Sequence, residues 1–494
     1  MSNHKAFIKR IGLAIYPFFM LILLSAKAQL PAPNAYEATL NLHFSKVNGL
    51  LSGTRSQNIP HFDQYIGNLN DVTELIFSED EARFELLQKN EKKRLRVLDD
   101  TDIKSPYIGF FEAEIKLQWA FTRLKFGEQW NGVWALRSAY KTIRRNIKAY
   151  PDFKLNYKTL GLLHVIFGAV PDRHQWVLNI LGLKGDTEKG LEELYLLMEE
   201  ETVFQREVRV ITALVESYLM ENHEKATALI TDQGTPLTHV ESYALALVSM
   251  KSHKSEDARL LLQKSLGALD NSLAKPLFHY LLAETEFQKG TYQRAYDHYL
   301  AFSRSFPGKN NQKDALFKAA LCQLMMDDEM GYQDMLEAAK AIEDTESETD
   351  KNAQNMMDNE PLPDLSLLKI RYAIDGGYFD RADSLFNSID IEQYRVYEQF
   401  ELIYRKARLH HLKADRQEAI RLYRQVVEKE KLNPETYFVP NSFLQLGYLQ
   451  AELGNTPMAR MYFEKVLKFR NHPYKNSLDS KAKIALKRLE NQGD

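Results

Sequence analysis

Residues 161–194, GLLHVIFGAVPDRHQWVLNILGLKGDTEKGLEEL, hold five glycines among apolar runs, with Asp186 just past Gly185. Such a cluster could cradle phosphate, because glycine lets backbone N–H groups converge on an anion. The rest of that chemistry is missing. A phosphate loop ends in Gly-Lys-Ser/Thr, whereas here Lys189 precedes Gly190 and no hydroxyl residue follows. The dinucleotide pattern G-x-G-x-x-G is absent. The run GLLHVIFGAV is also too short to cross a bilayer, which takes about 20 residues.

Other constellations are equally incomplete. His410 and His411 are adjacent, so on a helix they point to different faces and cannot ligate one ion together. No H-E-x-x-H or G-x-S-x-G occurs, and DDTDIKSP (99–106) lacks the glycine and closing glutamate of a calcium loop. No catalytic residue, metal ligand or cofactor is expected. Trp119, Trp130 and Trp134 remain. Trp130 and Trp134 share a helix face at a spacing of four, either as core packing or as an aromatic ledge for a partner.

The elements around these residues are helical. Residues 107–150 carry a helical rather than two-residue apolar period, and no stretch combines strand alternation with hairpin turns. The second half repeats. Small residues recur twelve apart, with a bulky one four beyond: Ala246–Ala258–Leu262, Ala283–Ala295–Tyr299, Ala407–Ala419–Tyr423 and Gly447–Ala459–Phe463. A weaker copy has Ile370, Ala382 and Phe386. In a helical hairpin the small residues mark where two helices cross closely, and the bulky one fills the adjacent groove. The long step from Ala295 to Ala382 is read as a degraded repeat at 313–340 followed by an acidic loop or linker, 343–364.

In this setting 161–194 predicts helices over 155–169 and 172–182, a tight turn from Gly182 to Asp186, and a third helix from 187. Gly182 or Gly185 would take the left-handed conformation, and Asp186 or Thr187 would cap the helix.

The spacing resembles the tetratricopeptide repeat. Three blocks (113–150, 161–194 and 437–467) together resemble the family of the eukaryotic inclusion-body clearance proteins. That resemblance implies a helical-repeat scaffold with no catalytic residues. The reading is therefore an all-α superhelical solenoid of stacked helix–turn–helix repeats.

Lys5, Lys9 and Arg10, the 16-residue apolar run 11–26 and Ala26-Lys27-Ala28 form an export signal, with cleavage expected between Ala28 and Gln29. Its removal takes away four positive charges and shifts the net charge from −3 to −7, which gives no case for nucleic acid. Cys322 is the single cysteine, so no internal disulfide forms. The expected regions are the signal 1–28, an irregular helical region 29–204, repeats 205–342, the acidic segment 343–364 and repeats 365–494. The functional expectation is a periplasmic or secreted scaffold, non-enzymatic and without a membrane span once the signal is removed. It would hold a protein or peptide partner in a concave groove, in cell-envelope assembly. The alternative is a small-molecule or glycan-binding component of an uptake system.

Overall fold

The computed structural model describes residues 34–54, 59–170, 172–200, 202–232, 234–269, 273–343, 347–358, 362, 364–428, 436–470, 472 and 474–491. The expected signal, with Ala28 and Gln29, lies outside them. Among the described residues the regular structure is all helical, with no strand.

The chain divides into two compact units. Unit 1 takes residues 1–252, 257–286 and 292–360, and unit 2 takes 253–256, 287–291 and 361–494. Residues 29–204 and all of 205–342 except 253–256 and 287–291 thus fall within unit 1. Unit 1 begins with α1 (Asn34–Leu40), α2 (Phe44–Leu50), α3 (Phe62–Ser78), α4 (Glu81–Asp99), α5 (Pro106–Lys125) and α6 (Gln129–Ala149). It continues with α7 (Asn156–Gly168), α8 (Asp172–Leu181), α9 (Thr187–Leu196), α10 (Gln205–Tyr218), α11 (His223–Thr231) and α12 (His239–Lys251). Next come α13 (Ser255–Ala268) and α14 (Lys275–Lys289), one end of each grouping with unit 2, then α15 (Tyr292–Ser305), α16 (Gln312–Met325), α17 (Glu329–Lys340) and α18 (Glu348–Asp358). Unit 2 holds α19 (Leu365–Gly376), α20 (Phe379–Asn387), α21 (Val396–Leu412), α22 (Arg416–Glu428), α23 (Phe438–Glu452), α24 (Thr456–Val466) and α25 (Lys475–Asn491).

Consecutive helices pair as hairpins, and the small residues sit where they touch. Ala246, Ala258, Ala283, Ala295, Ala382, Ala407, Ala419 and Ala459 are fully buried, as are Leu262, Tyr299 and Tyr423. At Gly447 a Cβ would stand 2.4 Å from the Phe463 ring, so only hydrogen fits between α23 and α24. Unit 2 builds its core on this pattern. One cluster joins Tyr404, Ala407, Ala419 and Tyr423 to Leu446, Ala459 and Phe463, and a second joins Ile370, Ala382 and Phe386.

Three further hairpins show the same spacing. Ala120, Gly132 and Leu136 serve α5–α6, where a Cβ on Gly132 would come 2.5 Å from Leu124. Leu214, Ala226 and Ile230 serve α10–α11. In α16–α17 Ala320 keeps the first position, while Tyr332 stands where a small residue would, the degraded copy.

The stretch 161–194 forms α7, α8, the turn and α9. Gly182 takes the left-handed conformation at φ +67°, and Gly185 does not. Asp186 caps α9, its carboxylate accepting the N–H groups of Glu188 and Lys189 at 3.0 and 3.1 Å. The other glycines bring α7 and α9 backbone to backbone. A Cβ on Gly185 would stand 2.1 Å from the Gly168 nitrogen, and one on Gly190 would stand 2.4 Å from the Gly161 oxygen. Gly161 and Gly190 therefore occupy the two small positions of a hairpin, 29 residues apart instead of twelve, because α8 is inserted between them.

The acidic segment departs from the expected loop, since residues 348–358 form α18. Its buried Asp350 explains the difference. The carboxylate accepts the N–H groups of Asn311 and Asp314 at 2.8 and 2.9 Å, at the start of α16, and the Ser347 hydroxyl at 2.6 Å. One buried carboxylate satisfying a helix N-terminus draws the polar segment into a helix against unit 1.

The α14–α15 hairpin carries a titratable contact. His279 and His298 place their Nδ1 atoms 2.9 Å apart, an arrangement that requires one ring to donate and the other to accept. Burial, the His298 neighbour and Lys275 push His279 down to about 4. Burial also lowers His298, with Arg294 adding to it and Glu286 and Asp297 opposing. Both groups bind protons more readily when unfolded. Their contribution is therefore complete above about pH 6.5 and is lost as pH falls toward 4. Hydrogen exchange, corrected for intrinsic rates, should show weaker protection of α14–α15 at about pH 5 than at about pH 7.5. The difference should shrink in His298→Gln, and equal protection at both values would refute the assignment.

Candidate functional site

The densest polar cluster lies inside unit 1. Lys158 on α7 pairs with Glu114 on α5 and, at 2.7 Å, with Glu207 on α10. Tyr65 on α3 donates to Glu207 at 2.6 Å, Tyr36 on α1 donates to the same carboxylate, and Thr159 donates to Glu114 at 2.5 Å. The ammonium also lies within 6 Å of the rings of Tyr65, Phe110 and Phe204. Burial raises the Glu207 carboxyl, with Lys158 opposing and Glu114 reinforcing the shift. Burial and the glutamates hold Tyr36 and Tyr65 well above the usual phenol range, so both remain donors. The Lys158 side chain is 3% exposed and Glu207 0%, which leaves a substrate no approach to the ammonium. This network fixes how five helices meet.

Unit 2 groups basic and aromatic side chains on α19, α21 and α23, the first helices of its hairpins, with Arg405, Tyr404 and Phe438 buried and Arg371, Tyr372 and Arg408 partly exposed. Arg371, Arg405 and Arg408 lie among aromatic rings: Arg371 over Tyr372 at 5.5 Å, and Arg405 over Tyr404 at 5.5 Å and Phe438 at 5.7 Å. Arg405 pairs with Glu401 at 2.8 Å, and Arg408 donates to Gln445 at 3.4 Å. The Nε of Arg371 makes no hydrogen bond, and the nearest carboxylate, Asp375, stands 3.8 Å away. Val396 and Tyr397 lie exposed at the start of α21, Tyr397 6.5 Å from Phe438. No local motif announces this grouping. Arg371 stands one hairpin before Arg405 and Arg408, which share α21, and the three come together only when the hairpins stack.

The three tryptophans separate. Trp119 is fully buried on α5, its indole N–H donating to Asn68 at 2.8 Å. Trp130 and Trp134 are 50% and 53% exposed on α6, so the core reading does not hold for them. The buried face of α6 is Val133, Leu136, Tyr140 and Ile143, and the tryptophans stand outside it. On α8, Trp176 and Ile180 are 47% and 72% exposed. Arg137 ties the two helices, lying 5.5 Å over the Trp134 ring and donating to the Leu181 carbonyl at 2.8 Å.

Among the described residues no three or more His, Cys, Asp or Glu side chains are grouped to hold a metal ion, and no helix is long and apolar enough to cross a membrane. Cys322 is buried, and burial pushes its thiol well up.

The tetratricopeptide repeat family matches residues 441–469, which take in most of α23 and all of α24. The same small-residue spacing recurs in other hairpins of both units. No curated protein matches the sequence. Similar solved structures include a human IFIT1 dimer with m7Gppp-AAAA, at 12% identity and TM-score 0.37, covering 93% of this chain and 94% of that one. Yeast Tom70 shows 13% identity and TM-score 0.23, covering 93% and 89%. The APC/C hetero-tetramer Cut9-Hcn1 shows 11% and 0.21, covering 92% and 95%.

Proposed function

We propose that this chain is an exported, non-enzymatic scaffold that holds a protein partner in a groove lined by the first helices of unit 2, in assembly of the cell envelope. The observation that carries the proposal is the partly exposed Arg371, Tyr372 and Arg408 with the exposed Tyr397, backed by the buried Arg405, Tyr404 and Phe438. Guanidinium groups flanked by aromatic rings suit a peptide that offers both carboxylates and apolar side chains. The repeat match at 441–469 and the resemblance to the inclusion-body clearance family support a non-enzymatic role. The basic, apolar and A-x-A segments before Gln29 support export.

The test is retention of a partner from an envelope extract by the chain beginning at Gln29. Wild type should retain a defined protein that the Arg371→Ala/Tyr397→Ala variant releases, with the melting temperature unchanged. Retention that ignores the substitution would remove the groove from the proposal. An empty pull-down together with glycan-dependent thermal stabilisation would replace the scaffold with the uptake-component reading.

A further inference from the structure

We infer that the exposed face of α6, with the C-terminal end of α8, docks an acidic segment of another protein through an apolar anchor followed by a row of carboxylates. This surface belongs to unit 1 and is separate from the groove proposed on unit 2.

The face is ordered along its length. Trp130 and Trp134 stand at the N-terminal end, and Lys141, Arg144, Arg145 and Lys148 follow on the exposed side of the same helix. The eighteen steps from Trp130 to Lys148 cover about 27 Å at 1.5 Å per residue. The helix contains no Asp or Glu. Arg145 pairs with Glu112 of α5 at 2.9 Å, but among the described residues no carboxylate pairs with Lys141, Arg144 or Lys148. Three cations in one row without acids are an electrostatic gap that a partner's carboxylates fill.

The inserted helix supplies the second observation. The α7–α9 hairpin closes through its glycines, so α8 is not needed to complete that contact. It nevertheless brings Trp176 and Ile180 to solvent, its end held beside Trp134 by Arg137. Large exposed aromatics with an adjacent isoleucine are the composition of an anchor site.

The layout favours a peptide over a bilayer. A membrane presents hydrocarbon and headgroups as parallel layers, so a helix lying in it carries its apolar strip and flanking cations side by side along its whole length. Here apolar and basic groups follow one another end to end. A linear segment with an apolar end and an acidic remainder matches that order.

The probe is a fluorescein-labelled peptide of about 12 residues, Ile-Phe-Leu followed by alternating glutamates, long enough when extended to span the face. It is compared with its glutamine counterpart on the chain beginning at Gln29. The glutamate peptide should bind, and its affinity should fall about tenfold or more with Trp134→Ala and separately with Lys141→Glu/Lys148→Glu. Raising the salt should weaken it as well. The three substituted positions on α6 are exposed, and unchanged circular dichroism melting confirms an intact fold. Equal binding of the glutamine peptide, or binding insensitive to the α6 variants, would overturn the inference. Loss of binding in Arg371→Ala/Tyr397→Ala would move the peptide to unit 2, which also overturns it. Vesicles of phosphatidylserine and phosphatidylcholine are the remaining comparison: co-sedimentation that depends on Trp134 without any peptide binding would make this a membrane surface instead.

Discussion

Lys158→Met is expected to cost unit 1 about 3–5 kcal/mol, the range for breaking a buried ion pair by removing one partner. The substitution keeps the side chain's length but leaves Glu114 and Glu207 facing each other without a counter-charge, both essentially sealed from water. Tyr36, Tyr65 and Thr159 would still donate to them, which moderates the repulsion without cancelling it. Adding Glu207→Gln should recover part of the loss, because one of the two uncompensated charges disappears while an acceptor for the tyrosines remains. The measurement is the unit 1 transition in urea, followed by tryptophan emission, since all four tryptophans lie in that unit, for the single and double variants. A single variant within about 1 kcal/mol of wild type, the value of an exposed pair, would show that the network carries no stability.

Gly185→Ala is expected to be nearly as damaging, at about 3 kcal/mol, the upper end for over-packing. The reason is contact rather than torsion. The added methyl meets the Gly168 nitrogen at 2.1 Å and the Phe167 carbonyl carbon at 2.2 Å, both backbone atoms, so no side chain can turn away. Gly182→Ala separates the two effects. Gly182 has φ +67° and open space around it, so alanine there costs about 1 kcal/mol of backbone strain alone. Thermal melts of the two variants should rank Gly185→Ala well below Gly182→Ala. The reverse order would mean that the turn, not the helix contact, is what the glycines protect.

The repeated hairpins were legible because close helix crossing leaves a local mark: a small residue, twelve positions, another small residue. The mark fails where the connection changes length. Gly161 and Gly190 make the same contact, but α8 separates them by 29 residues and no search at twelve finds them. Asp350 was hidden for another reason. An acidic, proline-containing stretch has the composition of a solvated loop, and only the free N-terminus of α16 explains why it folds.

The candidate sites were less legible than the fold. Lys158, Glu114 and Glu207 come from three helices far apart in sequence, and each alone reads as a surface charge. The tryptophans carried a usable signal that spacing four does not capture. Trp130 and Trp134 fall in register with Lys141 and Lys148, whereas Val133, Leu136, Tyr140 and Ile143 form the apolar stripe. Sharing a face with lysines, rather than with leucines, is what marks an aromatic residue as exposed.

The α7–α9 hairpin separates upkeep of the stack from change at its rim. Its two helices meet backbone to backbone at Gly161–Gly190, and only the last residues of the joining chain, at Gly185, pack on α7 at Gly168. Lengthening that spacing by 17 residues, from twelve to 29, costs only about 0.8 kcal/mol of loop-closure entropy, since the cost grows with the logarithm of length. A repeat protein built this way can exchange the inserted segment, and whatever it recognises, while the neighbouring hairpins go on stacking as before. The joint works as a socket, with α8 as its present plug.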